Sequence, residues 1–197
     1  MQKTYWDKLG KNYQFYTTAT LEMIAGFCLS KDVDGIFEAS CGTGYFVKLL
    51  RDMGYKWGYV GSDYCDCFVE WAGQNNPNEE FHKNINLLKE LPYPNEHFDI
   101  SVVHHGMDYV YPYRTALTEL KRVSSKYVVI TLWQQFSDGN RIGFTEKNGW
   151  NVNIYDKQEW YDEIKEAGYS IHTDAEIMEY NEKYDKMVYN HLFILKV

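Results

Sequence analysis

The sequence predicts an α/β fold built on a mostly parallel sheet, on three observations. From Gly35 onward, short apolar runs alternate with amphipathic stretches, the pattern of strand and helix in turn around a parallel sheet. Residues 98–103 are almost continuously apolar, as a central strand covered on both faces requires. Between the first apolar run and the first amphipathic stretch stands a glycine-bearing turn, Glu38-Ala39-Ser40-Cys41-Gly42-Thr43-Gly44. No repeat or linker interrupts the pattern, and 197 residues suit one core, so the chain is expected to be a single domain over residues 1–197.

The elements follow in order. Residues 5–28 look helical and precede the sheet, and residues 35–39 form the first strand. Residues 45–53, apolar at Phe46, Val47, Leu49 and Leu50, form a helix that Gly54 stops. Residues 57–62 make a second strand ending at Asp63, residues 65–73 a helix, and the neighbours of Phe81 a short third strand. Strand 98–103, a helix at 113–123 and a fifth strand at 127–133 come next. Residues 134–153, rich in Gly and Asn, read as irregular. A helix at 157–167 closed by Gly168 then precedes two strands, at 170–179 and 192–197.

Composition excludes several function classes. A net charge of −8 without any run of Lys or Arg opposes the phosphate neutralisation that nucleic-acid binding needs. No window approaches the roughly 20 apolar residues of a membrane span, and residues 1–10 lack an apolar signal core, so a soluble cytoplasmic protein is expected. Cys28, Cys41, Cys65 and Cys67 are too few and too uneven for a disulfide framework. The Cys65-x-Cys67 pair has no second pair to complete a zinc site, so no metal is expected. The 18 tyrosines, with 6 Trp and 10 Phe, can fill a core or line a ligand cleft with their polar tips. Nothing in the sequence sets an oligomeric state.

The turn carries the chemistry. Gly42 and Gly44 lack Cβ atoms, so the chain can bend tightly and admit a ligand to the main chain beside the open N–H groups of a helix start. Gly-x-Gly alone is short and common, and a plain strand-to-helix turn is its bland reading. Asp63 sharpens it, because a carboxylate ending the second strand can accept from both hydroxyls of a ribose. Asp63 can equally cap the helix that follows.

With these residues in register, the chain resembles the class I S-adenosylmethionine-dependent methyltransferases, particularly the small-molecule group. The resemblance covers residues 35–133. Glu38 through Gly44 looks like the family's first motif and Asp63 like its ribose-binding acid. Residues 91–99 look like its approach to the fourth strand, and Ala116-Leu117-Thr118-Glu119-Leu120-Lys121-Arg122-Val123 like the helix before the fifth. The resemblance implies a Rossmann-like, seven-stranded, mostly parallel sheet with helices on both faces and the last strand antiparallel. It implies S-adenosylmethionine as cofactor and S-adenosylhomocysteine as product. The cofactor contacts would come from Glu38, Ala39, Ser40, Cys41, Gly42, Gly44, Asp63 and Tyr64. Residues 1–30 would form a helical lid, 35–133 the cofactor core, and 134–197 the acceptor-side loop and terminal hairpin.

Two positions depart from the family pattern. Ser40 stands where the family usually has a glycine, adding a Cβ and hydroxyl beside the expected methionine moiety. Asn84 stands where it usually has an aspartate for the adenine amino group, a bond an amide oxygen can also accept, with the Ile85 backbone as the matching donor and Asn86 a rival. His104 and His105 follow the fourth strand, where methyl donor and acceptor should meet. A neutral imidazole can take a proton from an acceptor, and His105 is the first candidate base. The bland reading has one histidine packing near the adenosine and the other capping a turn. Tyr13 and Tyr16, with Tyr5 and Trp6, can form an aromatic lid or simply helix core, Tyr16 facing the acceptor. Arg141 lies in the stretch where such enzymes build acceptor specificity.

The acceptor expected is a small molecule, with a protein or peptide second. No Asp/Asn-Pro-Pro-aromatic tetrapeptide and no Pro-Cys pair marks a nucleic-acid methyltransferase. Two alternatives compete: a dinucleotide-dependent oxidoreductase, disfavoured by Val47 at the third glycine position, and a non-catalytic module that keeps the fold.

Overall fold

Residues 18–133, 136, 143–147, 150–181 and 185–197 are described by the computed structural model. Helix α1 (Ala19–Leu29) begins at Thr18, whose hydroxyl accepts from the Leu21 N–H at 3.2 Å. Strands β1 (Gly35–Ala39), β2 (Gly58–Asp63) and β3 (Glu80–Lys83) alternate with α2 (Tyr45–Asp52) and α3 (Asp66–Asn75). Then come β4 (Phe98–His104), α4 (Tyr113–Val123) and β5 (Ser124–Leu132). A small hairpin, β6 (Gly143–Lys147) with β7 (Trp150–Ile154), precedes α5 (Lys157–Glu166), β8 (Ser170–Asn181) and β9 (Lys186–Lys196).

Seven strands form one sheet in the order β3-β2-β1-β4-β5-β9-β8. Strands β1 to β5 are mutually parallel, and β9 runs antiparallel to both β5 and β8. This is the Rossmann-like sheet with an antiparallel last strand that the sequence led us to expect. The period of two along each strand splits the core. Phe37 and Ala39 pack with Leu117 and Leu120 of α4 and Trp160 of α5, whereas Ile36 packs with Ile24 of α1 and Leu50 of α2. Helices therefore cover both faces, and each buried Leu, Ile or Phe side chain among them contributes about 1.5–3 kcal/mol.

Two polar clamps hold the sheet from below. Asp99, at the start of β4, accepts from the Asp34 N–H at 2.6 Å and from Ser125 at 3.1 Å, tying β1 to β4 and β5. Burial alone would raise its pKa, but these bonds and Lys126 bring it below the usual value. Arg122 of α4 donates to the Leu91 and Tyr93 carbonyls at 2.8 and 2.7 Å, while Glu119 accepts from the Leu91 N–H at 2.8 Å. The polar residues of the 91–99 and 116–123 motifs thus fasten the connection into β4.

One expectation needs correction: the stretch read as irregular contains the β6–β7 hairpin. Of the N-terminal segment read as helical, the described part is the helix α1, and residues 1–17 lie outside the described residues. No helix of the described residues is long and apolar enough to cross a membrane.

Candidate active site

The strand order reverses between β1 and β4: the chain winds from β1 to β2 and β3 on one side, then from β4 to β5 on the other. Open α/β sheets bind ligands in the crevice at the carboxyl ends of such strands. The registers Ala39↔Ser62, Ala39↔Val103 and Asp63↔Lys83 bring the turns after β1, β2, β3 and β4 side by side there.

The turn after β1 is a run of left-handed backbone. Ser40, Gly42 and Gly44 have φ of 62°, 52° and 76°. Glycine tolerates this conformation freely, and Gly44 also needs its missing Cβ, which would stand 2.6 Å from the Asn76 Nδ2. Ser40 adopts it with a side chain, at a cost of about 1–2 kcal/mol. Its hydroxyl lies against Gly106, where a Cβ would meet the Ser40 Oγ at 2.4 Å. The turns after β1 and β4 therefore touch, and the serine that replaces the expected glycine is accommodated by a glycine opposite. Cys41 is buried, which pushes its thiol well above the usual pKa. Its backbone N–H donates to the Ser62 carbonyl at 2.8 Å.

Asp63 joins two of these turns. One carboxylate oxygen accepts from the Gly42 N–H at 3.1 Å and the other from the Cys65 N–H at 2.9 Å. It is not itself the cap of α3, whose N-cap position is Cys65. The Ile85 N–H donates to the Asp63 carbonyl at 3.3 Å, and Asn84 just before it is left-handed at φ 60°. Asn86 accepts from the Leu88 N–H at 2.9 Å through its side-chain oxygen.

Glu38 sits at the end of β1 but is buried, with Tyr59 donating to its carboxyl. Burial, opposed by that bond and aided by Asp63, raises its pKa to about 8. It supports the turn from within the core.

The histidines close the other side. His104 Nδ1 bonds the Thr131 hydroxyl at 2.8 Å, and the His105 N–H donates to the same oxygen at 3.1 Å. The two rings stack with centroids 3.9 Å apart, and His105 stacks in turn on Trp133 at 5.7 Å. His105 is left-handed at φ 57°, a conformation that concentrates at functional sites. Its Nε2 lies 2.9 Å from the Asn190 Oδ1. Burial lowers the pKa of both rings, that of His105 to about 4, so both are neutral at physiological pH.

Residues 37–130 match the family described as a methyltransferase domain. That stretch of the chain is a methyltransferase domain. Solved structures agree in fold. An S-adenosylmethionine-dependent methyltransferase from Mesorhizobium loti, 16% identical, superposes with a TM-score of 0.71 over 91% of this chain and 99% of its own. Magnesium protoporphyrin IX methyltransferase from Synechocystis, solved with S-adenosylhomocysteine, is 12% identical with a TM-score of 0.71 over 99% and 97%. The [4+2]-cyclase SpnF, 15% identical, reaches 0.69 over 90% and 80%. No curated protein matches the chain in sequence.

The methyltransferase's expected site residues divide three ways. Ser40, Cys41, Gly42, Gly44, Asp63, Asn84, Ile85, His104 and His105 come together around the switch point. Ala39 and Glu38 lie beneath it in the core, and Tyr64 stands exposed beside Asp63. Tyr13, Tyr16 and Arg141 lie outside the described residues. Among the described residues no three His, Cys, Asp or Glu side chains are placed to hold a metal ion. Sequence reading missed Thr131, which binds both histidines, and Asn190, which holds His105 from 85 positions away. It also missed Asn153 of β7, which donates to the Met107 and Val110 carbonyls at 2.9 and 2.6 Å and fixes the turn after β4.

Proposed function

We propose that this methyltransferase transfers the methyl group of S-adenosylmethionine to a small-molecule acceptor and releases S-adenosylhomocysteine. The observation that carries the reading is the Gly42–Asp63 bridge at the switch point, with Ser40 and Gly106 in contact across it. In this reading Ser40 to Gly44 face the methionine moiety, Asp63 the ribose, and Asn84 with the Ile85 N–H the adenine. His104 flanks the adenosyl group. S-Adenosylmethionine supplies a methyl carbon made electrophilic by its sulfonium. The chain's own part is to align an acceptor lone pair with that carbon and to exclude water. His105, neutral and held by its neighbours, takes the proton the acceptor sheds.

The small-molecule class is supported by the net charge of −8, which disfavours a polynucleotide. The Synechocystis neighbour is itself named for a small acceptor. A protein or peptide is the second candidate. Four free cysteines, Cys28, Cys41, Cys65 and Cys67, suit a reducing cytoplasm. The test is transfer of tritium from methyl-labelled S-adenosylmethionine across a panel of phenols, amines, thiols and peptides. Label on a small acceptor supports the reading, and cofactor binding without transfer to any acceptor would favour a non-catalytic module.

A further inference from the structure

A buried polar network lies behind His105. Glu179 of β8 and Asn190 of β9 lie on one face of the terminal hairpin, because Glu179 pairs with Val188 and Asn190 stands two residues further on. Thr20, in the first turn of α1, completes the group, and all three are buried. The Asn190 amide gives both hydrogens away, one to the Thr20 hydroxyl at 3.0 Å and one to the Glu179 Oε1 at 2.5 Å. The Thr20 hydroxyl has one hydrogen of its own, which goes to the Glu179 Oε2 at 3.1 Å, and the same oxygen accepts from the Thr20 N–H at 3.0 Å. Every donor around Glu179 thus points at a carboxylate that only accepts.

This accounting fixes which way the Asn190 amide faces. Turned over, it would set its oxygen against the Glu179 carboxylate, acceptor against acceptor. As it stands, the Asn190 oxygen faces His105 Nε2 at 2.9 Å and can only accept, so Nε2 must carry the hydrogen. A neutral imidazole has one N–H, which leaves the lone pair on Nδ1. Among the described residues the other groups facing the ring are the His104 and Trp133 rings, the Thr131 hydroxyl accepts from the His105 backbone N–H, and Glu179 reaches the ring through Asn190.

We propose that Asn190 and Glu179, with Thr20, are positioning residues for His105. They hold its ring as the Nε2–H tautomer and reserve Nδ1 as the atom that takes a proton from the methyl acceptor. The second half rests on His105 being the base in the proposed reaction. The first half concerns the resting protein and is measured without any acceptor.

The test is nitrogen NMR of the whole protein labelled with ¹⁵N-histidine, which distinguishes the two neutral tautomers. The wild-type protein is expected to show His105 as Nε2–H. Glu179→Gln keeps the shape but puts one donor where the carboxylate had two acceptors. The Gln oxygen is drawn to the Thr20 N–H, its amide then faces Asn190, and Asn190 turns over to present N–H to His105. The Nδ1–H tautomer should become the major form, although residue 179 does not touch the ring. Should that variant not fold, Asn190→Leu gives the second reading: Nε2–H loses its acceptor and should exchange with solvent about tenfold faster or more, as loss of one hydrogen bond implies. A wild-type His105 found as Nδ1–H, or a folded Glu179→Gln with an unchanged tautomer, overturns the proposal. A shifted tautomer with methyl transfer at the wild-type rate overturns Nδ1 as the proton acceptor and His105 as the base, while the hold on its tautomer stands.

Discussion

Replacing Asp63 by alanine should damage stability and cofactor affinity together, and the structure sets the size of each. The carboxylate holds the Gly42 and Cys65 N–H groups at 3.1 and 2.9 Å in a buried position. Hydrogen bonds to a charged group contribute about 1.5–3 kcal/mol each, so two give a ceiling of about 6 kcal/mol. Water can reach part of the emptied site, because Asp63 is 9% exposed, and the expected loss in urea unfolding of the unliganded protein is about 2–4 kcal/mol. Loss of the proposed ribose bonds should add a fall of about 10- to 150-fold in affinity for S-adenosylhomocysteine by calorimetry. Methylthioadenosine separates ribose contact from a loosened turn, since it keeps the ribose and lacks the amino-acid portion. Both ligands weakened alike means ribose contact, and only S-adenosylhomocysteine weakened means the turn alone. A folded variant that binds both as tightly as wild type would refute the ribose assignment, and unchanged stability would refute the bridge.

Gly106→Ala should cost about 1–3 kcal/mol in thermal or urea unfolding and weaken the cofactor, because its Cβ would lie 2.4 Å from the Ser40 Oγ and 2.8 Å from the Val103 Cγ1. The double variant with Ser40→Gly should recover much of this loss, and no recovery would mean that the turns do not meet through Ser40. Glu38 is protonated more readily in the folded protein, with a pKa of about 8 against 4.5, so its stabilising contribution is complete below pH 4.5 and is lost as pH rises toward 8. At about 1.4 kcal/mol per pKa unit, Glu38→Gln should gain up to about 4 kcal/mol on wild type between pH 5 and 8 in urea unfolding, and a constant difference would refute the buried acid. His105 titrates near 4 in the opposite sense: its neutral form is favoured by folding, so that contribution is present above 6.5 and is lost as pH falls toward 4. As a base it must be neutral, so turnover should hold steady down to about pH 5 and fall only near 4, whereas a fall centred at 6.5 would place the base elsewhere.

The sheet was legible because its signals are local. Strand 35–39 and helix 113–123 match β1 and α4 residue for residue, since a fully buried strand and an amphipathic helix each write their burial into short periodic runs. The β6–β7 hairpin was missed although its sequence carries a sign: Asn148-Gly149 is flanked by alternating Phe144, Trp150, Val152 and Ile154. The many polar residues between them hid the alternation. At the site, the turn from Glu38 to Gly44 and the acid Asp63 could be named because they are adjacent in chain order to strand ends. Their bridge could not, because it depends on how β1 and β2 pair. Ser40 read as an intrusion until its neighbour Gly106 was placed, and 66 positions of sequence separate the two. Asn190 and Glu179 carry no motif at all. Their meaning comes from a hairpin that folds back beside β5 and brings two ordinary polar residues behind His105.

Calorimetric titration of the purified protein with S-adenosylhomocysteine, beside NAD as the competing adenosine ligand, tests the central claim most directly. The Gly42–Asp63 bridge at the switch point predicts saturable one-to-one binding of S-adenosylhomocysteine, weakened by Asp63→Ala, and no binding of NAD. Binding of NAD with none of S-adenosylhomocysteine would contradict it.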